Sequence, residues 1–417
     1  MEYKHRSVED ELRLKLSASG VVLIKGPKSC GKTETAKQFA KSILQVDRDE
    51  SVPVAMSIDP ARLLTGKTPR LIDEWQIQPK LWTYIRHEVD DRQQKGQFIL
   101  TGSANPEEET NLHSGAGRFT IINMQTMSWY EMGYSSGAIQ LSKLLSGTSQ
   151  STVDEGVNIE IIIERMIKGG WPALLETSIA GAMVINAGYV DLLAEVDMSR
   201  VSNVQRDPVK VKALLKAISR NIATLVDNTT LEKDIKSKDN DSLSRPTVID
   251  YLNALERLMI LEEQPAFGTH IRSANSLRKS PKRHLCDVSL AVAALGLDQQ
   301  SLLNDLRYCG FLFESLVYHD LKVYARANDA TVFHYKDSTD LEIDAIVQKR
   351  NGDWAAFEVK LGVGQIEEAA QNLLHFNSII DTNKTNLPKS LNIITGTGWS
   401  YTRPDGINVI SLASLGA

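Results

Sequence analysis

The chain has 417 residues, 42% of them apolar and 24% charged, which is enough to bury the cores of two or three domains. A net charge of −5 at neutral pH excludes a uniformly basic nucleic-acid coat but leaves room for a local basic face. Cys30, Cys286 and Cys309 form neither a metal-ligand spacing nor a disulfide framework, which fits a reducing, cytoplasmic setting. Met1 to Asp10 is charged and lacks an apolar signal core, and no membrane span is expected.

In chain order, residues 6–17 read as a short amphipathic helix leading into the first strand. Strands are expected near 20–25, 52–57, 68–73, 97–101 and 118–124, with helices between them, the pattern of a parallel, doubly wound sheet. After the apolar run Val21 to Ile24 comes Gly26-Pro27-Lys28-Ser29-Cys30-Gly31-Lys32-Thr33, the G-x-x-x-x-G-K-[ST] phosphate loop (Walker A). Loop N–H groups would cradle phosphate oxygens, with Gly26 and Gly31 allowing the tight path. Lys32 would reach the outer phosphates and Thr33 would offer its hydroxyl to Mg²⁺. A helix from Gly31 to Leu44 would add its dipole. Cys30 lies near that helix start, where a thiol is made more reactive. It reads either as a redox-sensitive position or simply as a small residue that fits.

Leu71-Ile72 then runs into Asp73-Glu74-Trp75-Gln76. About forty residues beyond a phosphate loop, Asp73 is expected to hold Mg²⁺ through water and Glu74 to polarise the attacking water. A helix over Lys80 to Gln94 follows, with Leu81, Trp82, Ile85 and Val89 at helical spacing. The next strand ends in Thr101-Gly102-Ser103, at the carboxyl edge where ligands sit in open α/β sheets. Thr101 or Ser103 would face the γ-phosphate.

Residues 145–156, rich in Ser, Thr and Gly, read as a linker or lid loop, and 158–225 read as helical, broken at Gly169-Gly170-Trp171-Pro172. Thr230 to Ser237 and Arg245 to Leu258 read as helices, with Pro246 tolerated in the first turn of the second. Two strands follow, Ile260 to Pro265 and Arg283 to Asp287, completing a winged-helix outline. The intervening loop carries Arg272, Arg278, Lys279, Lys282 and Arg283 with no acid among them. These are candidate phosphate contacts to DNA or RNA, or else a solvated loop or one docking on an acidic neighbour domain.

Near the C-terminus, Thr339 to Val347 and Trp354 to Lys360 read as two strands joined by a turn at Arg350 to Asp353. Side-chain alternation puts Glu358 and Lys360 on one face, with Asp344 opposite across the hairpin. Glu314, on a helix over Phe311 to Tyr324, can approach the same point. Asp344, Glu358 and Glu314 are hard oxygen ligands, so this constellation is a candidate Mg²⁺ site for phosphodiester hydrolysis, with a further ligand from the Val359 carbonyl. Lys360 would orient the water or neutralise the phosphate.

Taken together, Gly26–Thr33, Leu71–Gln76, Phe98–Ser103, Gly115–Phe119, Met127–Glu131, Gly169–Pro172, Glu342–Ile346 and Phe357–Lys360 resemble a prokaryotic family. Its members are AAA-type ATPases with a C-terminal domain of the PD-(D/E)xK nuclease-like superfamily. The resemblance spans nearly the whole chain. It implies an α/β multidomain protein: an AAA-type ATPase core over 1–135, a helical lid or linker over 136–228, a winged-helix-like module over 229–295 and a restriction-endonuclease-like domain over 296–417. ATP and Mg²⁺ are the implied ligands. Arg118 is the implied arginine finger, completing a neighbour's site in a homo-oligomer. Arg165 and Arg200 are candidates for a second arginine on the nucleotide. The implied function is an ATPase coupled to a nucleic-acid-processing domain; the alternative is a nucleotide-dependent switch whose last domain binds without cleaving. A small-molecule kinase built on the same loop is disfavoured by the Asp73-Glu74 pair.

Overall fold

Short apolar runs ending in small or acidic residues build the first sheet. In the computed structural model, which describes residues 2–102, 115–148, 155–201, 204–238, 243–268 and 280–417, the chain divides into two compact units. The first comprises Met1–Thr126 with Arg257–Met259; the second comprises Met127–Glu256 and Ile260–Ala417.

The first unit begins with helix α1 (Glu9–Ala18) and strand β1 (Val21–Lys25), then α2 (Lys32–Lys37), β2 (Ser42–Gln45), α3 (Val52–Ile58), β3 (Arg70–Asp73), α4 (Leu81–Arg92), β4 (Phe98–Gly102) and β5 (Phe119–Asn123). The five strands are all parallel, in the order β2-β3-β4-β1-β5. The central strands are buried on both faces, as parallel sheets require. On one face Trp75 packs on Trp82 (centroids 5.2 Å apart) and Trp82 stacks on Phe119 (4.1 Å). On the other, Val22, Ile24, Leu71, Ile99 and Ile122 meet Leu12 of α1.

Two expected elements differ. The helix expected over Gly31 to Leu44 ends at Lys37, and Ser42–Gln45 pairs instead with Arg70–Asp73 as the edge strand β2. The strand expected over 52–57 is helix α3, whose Pro53 lies in the first turn, where its missing N–H costs nothing.

The second unit starts with α5 (Trp129–Met132), β6 (Ile139–Gln140) and α6 (Leu141–Leu144). Helices α7 (Ile159–Lys168), α8 (Ile179–Leu192), α9 (Met198–Arg200), α10 (Pro208–Arg220), α11 (Asn228–Lys238) and α12 (Arg245–Arg257) follow. An antiparallel pair, β7 (Leu261–Gln264) and β8 (Lys282–Leu285), comes next, then α13 (Val288–Ala294), α14 (Gln299–Asn304) and the long α15 (Leu306–Ala327). The stretch Ile179–Arg200, interrupted by Asp191, Glu195 and Asp197, is by length and composition alone apolar enough to cross a membrane. It is nonetheless packed through Ala182, Asn186 and Val190, and Asn186 donates to the Ile167 carbonyl.

A mixed six-stranded sheet completes this unit: β9 (Ala330–Lys336), β10 (Glu342–Lys349), β11 (Trp354–Lys360), β12 (Leu391–Thr395), β13 (Tyr401–Thr402) and β14 (Asn408–Ser411), with α16 (Ile366–Ser378) between β11 and β12. The order is β13-β14-β12-β11-β10-β9. Strand β11 pairs antiparallel with β10 and parallel with β12. Trp354, Phe376 and Phe267 fill the core beneath it. Finally β15 (Leu415–Gly416) runs parallel to β6, Ser136 N–H donates to the Ala413 carbonyl, and the Ser135 hydroxyl donates to the Leu415 carbonyl.

Candidate functional site

Two groups of chemistry-bearing residues emerge, one in each unit. The first sits at the carboxyl ends of β1, β3 and β4. Gly31, at φ 102°, turns the chain from loop into α2. Gly26 lies so close to the Met124 carbonyl and the Cys30 sulfur that a Cβ there would collide with both. Lys28 and Ser29 are exposed, whereas Pro27, Cys30 and Lys32 are buried. The Lys32 ammonium donates to the loop carbonyls of Gly26 (3.0 Å) and Pro27 (2.8 Å).

Register places Asp73, the last residue of β3, beside Thr101 of β4. The Thr33 hydroxyl donates to Asp73 Oδ1 at 2.8 Å, and the Thr101 hydroxyl donates to the same oxygen. Loop, β3 and β4 therefore converge on one buried carboxylate. Glu74, the next residue, takes a left-handed backbone (φ 55°, ψ 41°), a costly conformation for a non-glycine residue and one that clusters at functional sites. The Gln76 amide donates to Glu74 Oε2 and so fixes the carboxylate's direction.

Sequence reasoning missed Gln76 as an orienting group, and it also missed Arg6. Arg6 is 3% exposed and donates to the carbonyls of Cys30 (2.8 Å), Gln125 (2.8 Å) and Thr126 (3.2 Å), bracing the loop from the N-terminal segment. No local pattern marks an arginine that acts through backbone carbonyls more than a hundred residues away. Cys30 is wholly buried, which removes the solvent access that the redox reading needed. Ser103 lies outside the described residues.

Arg118 precedes β5, at the end of the sheet opposite the phosphate loop, since Val21 at the start of β1 pairs with Phe119. Its guanidinium is bound to Asp90 at 2.8 Å, and its place at the start of β5 sets it away from the phosphate loop of its own sheet. Arg165 stacks over Tyr134 (4.1 Å) and Trp129 (4.7 Å).

The second group lies in the second unit, where β10 meets β11. Ala345 pairs with Phe357, which sets Asp344 opposite Glu358, and a register shift between Ile343 and Ile346 re-aims β10 at this point. Glu314 approaches from α15. These three predicted residues do converge, together with Lys360 and with Glu342, which the strand's period of two places on the same face as Asp344.

The centre already contains a cation. Lys282 of β8, 1% exposed, places its ammonium 2.6 Å from Glu342, 2.7 Å from Glu314 and 3.4 Å from Asp344. The other oxygens are also engaged. Lys360 lies 2.7 Å from Glu358 and 3.6 Å from Asp344, Lys336 lies 3.2 Å from Glu342, Val359 N–H donates to Asp344 (2.8 Å), and Asn372 donates to Glu358 (2.7 Å). Burial, reinforced by Asp344, pushes Glu314 up to about 7 and Glu358 up to about 8. Burial acts the same way on Asp344, but Lys282, Lys360 and the Val359 N–H hold it below the usual carboxylate range. Burial opposes the charge on Lys282, yet the three carboxylates raise its pKa well above that of free lysine.

Mg²⁺ does not fit here, because the point on which the oxygens converge is taken by the Lys282 ammonium. Among the described residues no group of three or more His, Cys, Asp or Glu is disposed to hold a metal. The expected phosphate-binding role of Lys282 and Arg283 is corrected for the same reason. Lys282 is enclosed by carboxylates, and Arg283 is buried against Glu263 (3.1 Å), the Val226 carbonyl (2.9 Å) and Asn228 (2.8 Å). Neither side chain is presented to solvent. Arg272, Arg278 and Lys279 lie outside the described residues.

Comparison with known proteins agrees with the geometry of the first unit. Residues 18–133 match the family described as an AAA domain. Residues 159–301 and 309–415 match two families described as domains of unknown function, DUF8612 and DUF4143. Similar proteins include two uncharacterized mycobacterial ones, Rv2008c of Mycobacterium tuberculosis and Mb2031c of Mycobacterium bovis. Each is 23% identical over 365 residues, which covers 86% of this chain and 74% of the relative. Among solved structures, a Thermotoga maritima RuvB variant is 19% identical with a TM-score of 0.28, covering 62% of this chain and 89% of its own. A signal transduction ATPase with numerous domains and a tetratricopeptide repeat sensor, from Pyrococcus horikoshii, is 16% identical with a TM-score of 0.24, covering 77% of this chain and 48% of its own. The AAA match, with the parallel sheet and its loop, supports an AAA-type P-loop ATPase in the first unit of a mixed α/β multidomain chain.

Proposed function

We propose that this protein is an ATP-hydrolysing switch whose second unit engages a partner or a nucleic acid without cutting it. The observation that carries the ATPase half is the Asp73 carboxylate, joined to Thr33 of the loop and Thr101 of β4, with Glu74 oriented beside it by Gln76. Gly26, Gly31, Lys32 and the loop amides suit a triphosphate. Thr33 and Asp73 suit Mg²⁺, which when bound neutralises phosphate charge. On binding ATP, Lys32 exchanges the carbonyls of Gly26 and Pro27 for phosphate oxygens. Glu74 accepts a proton from water as the water oxygen attacks the γ-phosphorus and the bond to the ADP oxygen breaks. Arg118, at the far end of its own sheet, suits a role toward a second copy of the chain.

The non-cleaving half rests on Lys282, whose ammonium stands among the carboxylates that a nuclease would give to its metal. The test combines two assays. Glu74→Gln should bind ATP as the parent does and lose about 100-fold in turnover, the usual worth of a general base. Undiminished hydrolysis would refute the assignment. Labelled DNA and RNA should stay intact with Mg²⁺, with or without ATP. Cleavage that disappears in Asp344→Ala would replace this reading with a nuclease.

A further inference from the structure

Lys282 belongs to the region matching one family, residues 159–301, and its carboxylate partners belong to the region matching another, residues 309–415. The ammonium therefore joins two sequence regions through one charge. Around it, Glu314 comes from a helix and Glu342 and Asp344 from a strand, and each turns one carboxylate oxygen to within 3.4 Å of the same nitrogen. Three hard oxygens around one point is a cation's environment. The hairpin strand that brings the lysine is locked from below: His284, two residues on and on the same face of β8, is buried, stacks on Tyr318 (4.0 Å) and bonds Gln264 and Ser315 (3.1 Å each). Gln264 in turn donates to the Asp344 carbonyl at 2.9 Å.

We propose that Lys282 is the resident cation of this centre. The seated β7–β8 hairpin fills the point where the carboxylates converge with an ammonium and so keeps metal out; as they stand the three carboxylates are not disposed to hold a metal, and removal of that ammonium frees Glu314, Glu342 and Asp344 to draw together onto a divalent cation. This deepens the non-cleaving half of the proposed function and is independent of the ATPase half.

Nucleotide-free protein is titrated with Mn²⁺ and free metal is read by electron paramagnetic resonance. The parent should show no site that depends on Asp344, so parent and Asp344→Asn should titrate alike. Lys282→Ala, with its fold checked by circular dichroism, should gain a site at least about tenfold tighter than any in the parent. That site should vanish in Lys282→Ala/Asp344→Asn. A parent site lost in Asp344→Asn would overturn the proposal, as would a folded Lys282→Ala that gains nothing. If Lys282→Ala does not fold, the comparison of parent with Asp344→Asn decides alone. Metal binding and strand cleavage are read separately, so a parent that binds Mn²⁺ yet cuts nothing refutes the resident cation while sparing the non-cleaving reading.

Discussion

Replacing Lys282 with methionine removes one charge from a nearly solvent-free position while keeping most of the side-chain volume. At 2.6–2.7 Å from Glu342 and Glu314, each contact carries a gross attraction of about 6 kcal/mol at an effective dielectric of about 20. Much of that is offset by the cost of stripping water from the charges. Breaking a buried ion pair and leaving its partners uncompensated costs about 3–5 kcal/mol net. For a unit the size of the second one, roughly 2 °C of melting temperature accompanies each kcal/mol, so Lys282→Met should lower its Tm by about 6–10 °C near pH 7. Differential scanning calorimetry measures this, with the first unit's transition, stabilised by ATP and Mg²⁺, as an internal reference. Without Lys282, Glu342 and Asp344 take up protons more readily in the folded state, so the deficit should shrink as pH falls toward 4 (about the intrinsic carboxylate range). A Tm change under about 2 °C, or a deficit indifferent to pH, would show that the ammonium contributes little and that the distances overstate the coupling.

Two further outcomes follow from named contacts. Glu358, pushed up to about 8 by burial and by Asp344, holds a proton more tightly folded than unfolded, so its stabilising contribution is full below about pH 4.5 and is lost as pH rises through about 8. The second unit's Tm should therefore decline between pH 6 and 8, in steps of about one pH unit, and decline less steeply in Glu358→Gln; equal slopes would refute the shift. Gln76→Ala frees the Glu74 carboxylate, and losing one charge-assisted hydrogen bond of about 1.5 kcal/mol should lower kcat roughly tenfold with ATP affinity unchanged. Steady-state hydrolysis and equilibrium nucleotide binding check this, and an unaltered kcat would mean that Gln76 does not position Glu74.

What could be read from the sequence was whatever is set by neighbours along the chain. The phosphate loop declares itself because its glycines, lysine and threonine act within eight consecutive residues, and β3, β4 and β5 follow from short apolar runs. Strand β2 escaped because Lys32 to Leu44 continues a helical rhythm locally; only the edge of β3 draws Ser42–Gln45 into the sheet. Alternation along β10 and β11 sufficed to bring Asp344 to Glu358. For Lys282 the sequence left phosphate and an acidic neighbour both open, because its surroundings are set by Glu314 and Asp344, 32 and 62 residues away. In the sequence it is one basic residue in a basic loop. Whether such a lysine faces phosphate or carboxylate is decided by tertiary packing.

The pairing of β15 with β6 has a consequence for synthesis of the chain. Residues 135–140 take their strand partner β15, and the Ala413 and Leu415 carbonyls, from residues 413–416, so this seam of the second unit stays open while everything between is being translated. Loop closure over that distance is slow and leaves strand edges exposed on the nascent chain. The first unit, whose sheet is complete by Asn123, has all its strand partners available long before. During translation, then, a complete sheet around the phosphate loop leads an unfinished one. A ribosome that stalls a few codons before Gly416 would hold a chain whose phosphate-loop sheet has all its strands but whose other half has its last seam unsewn.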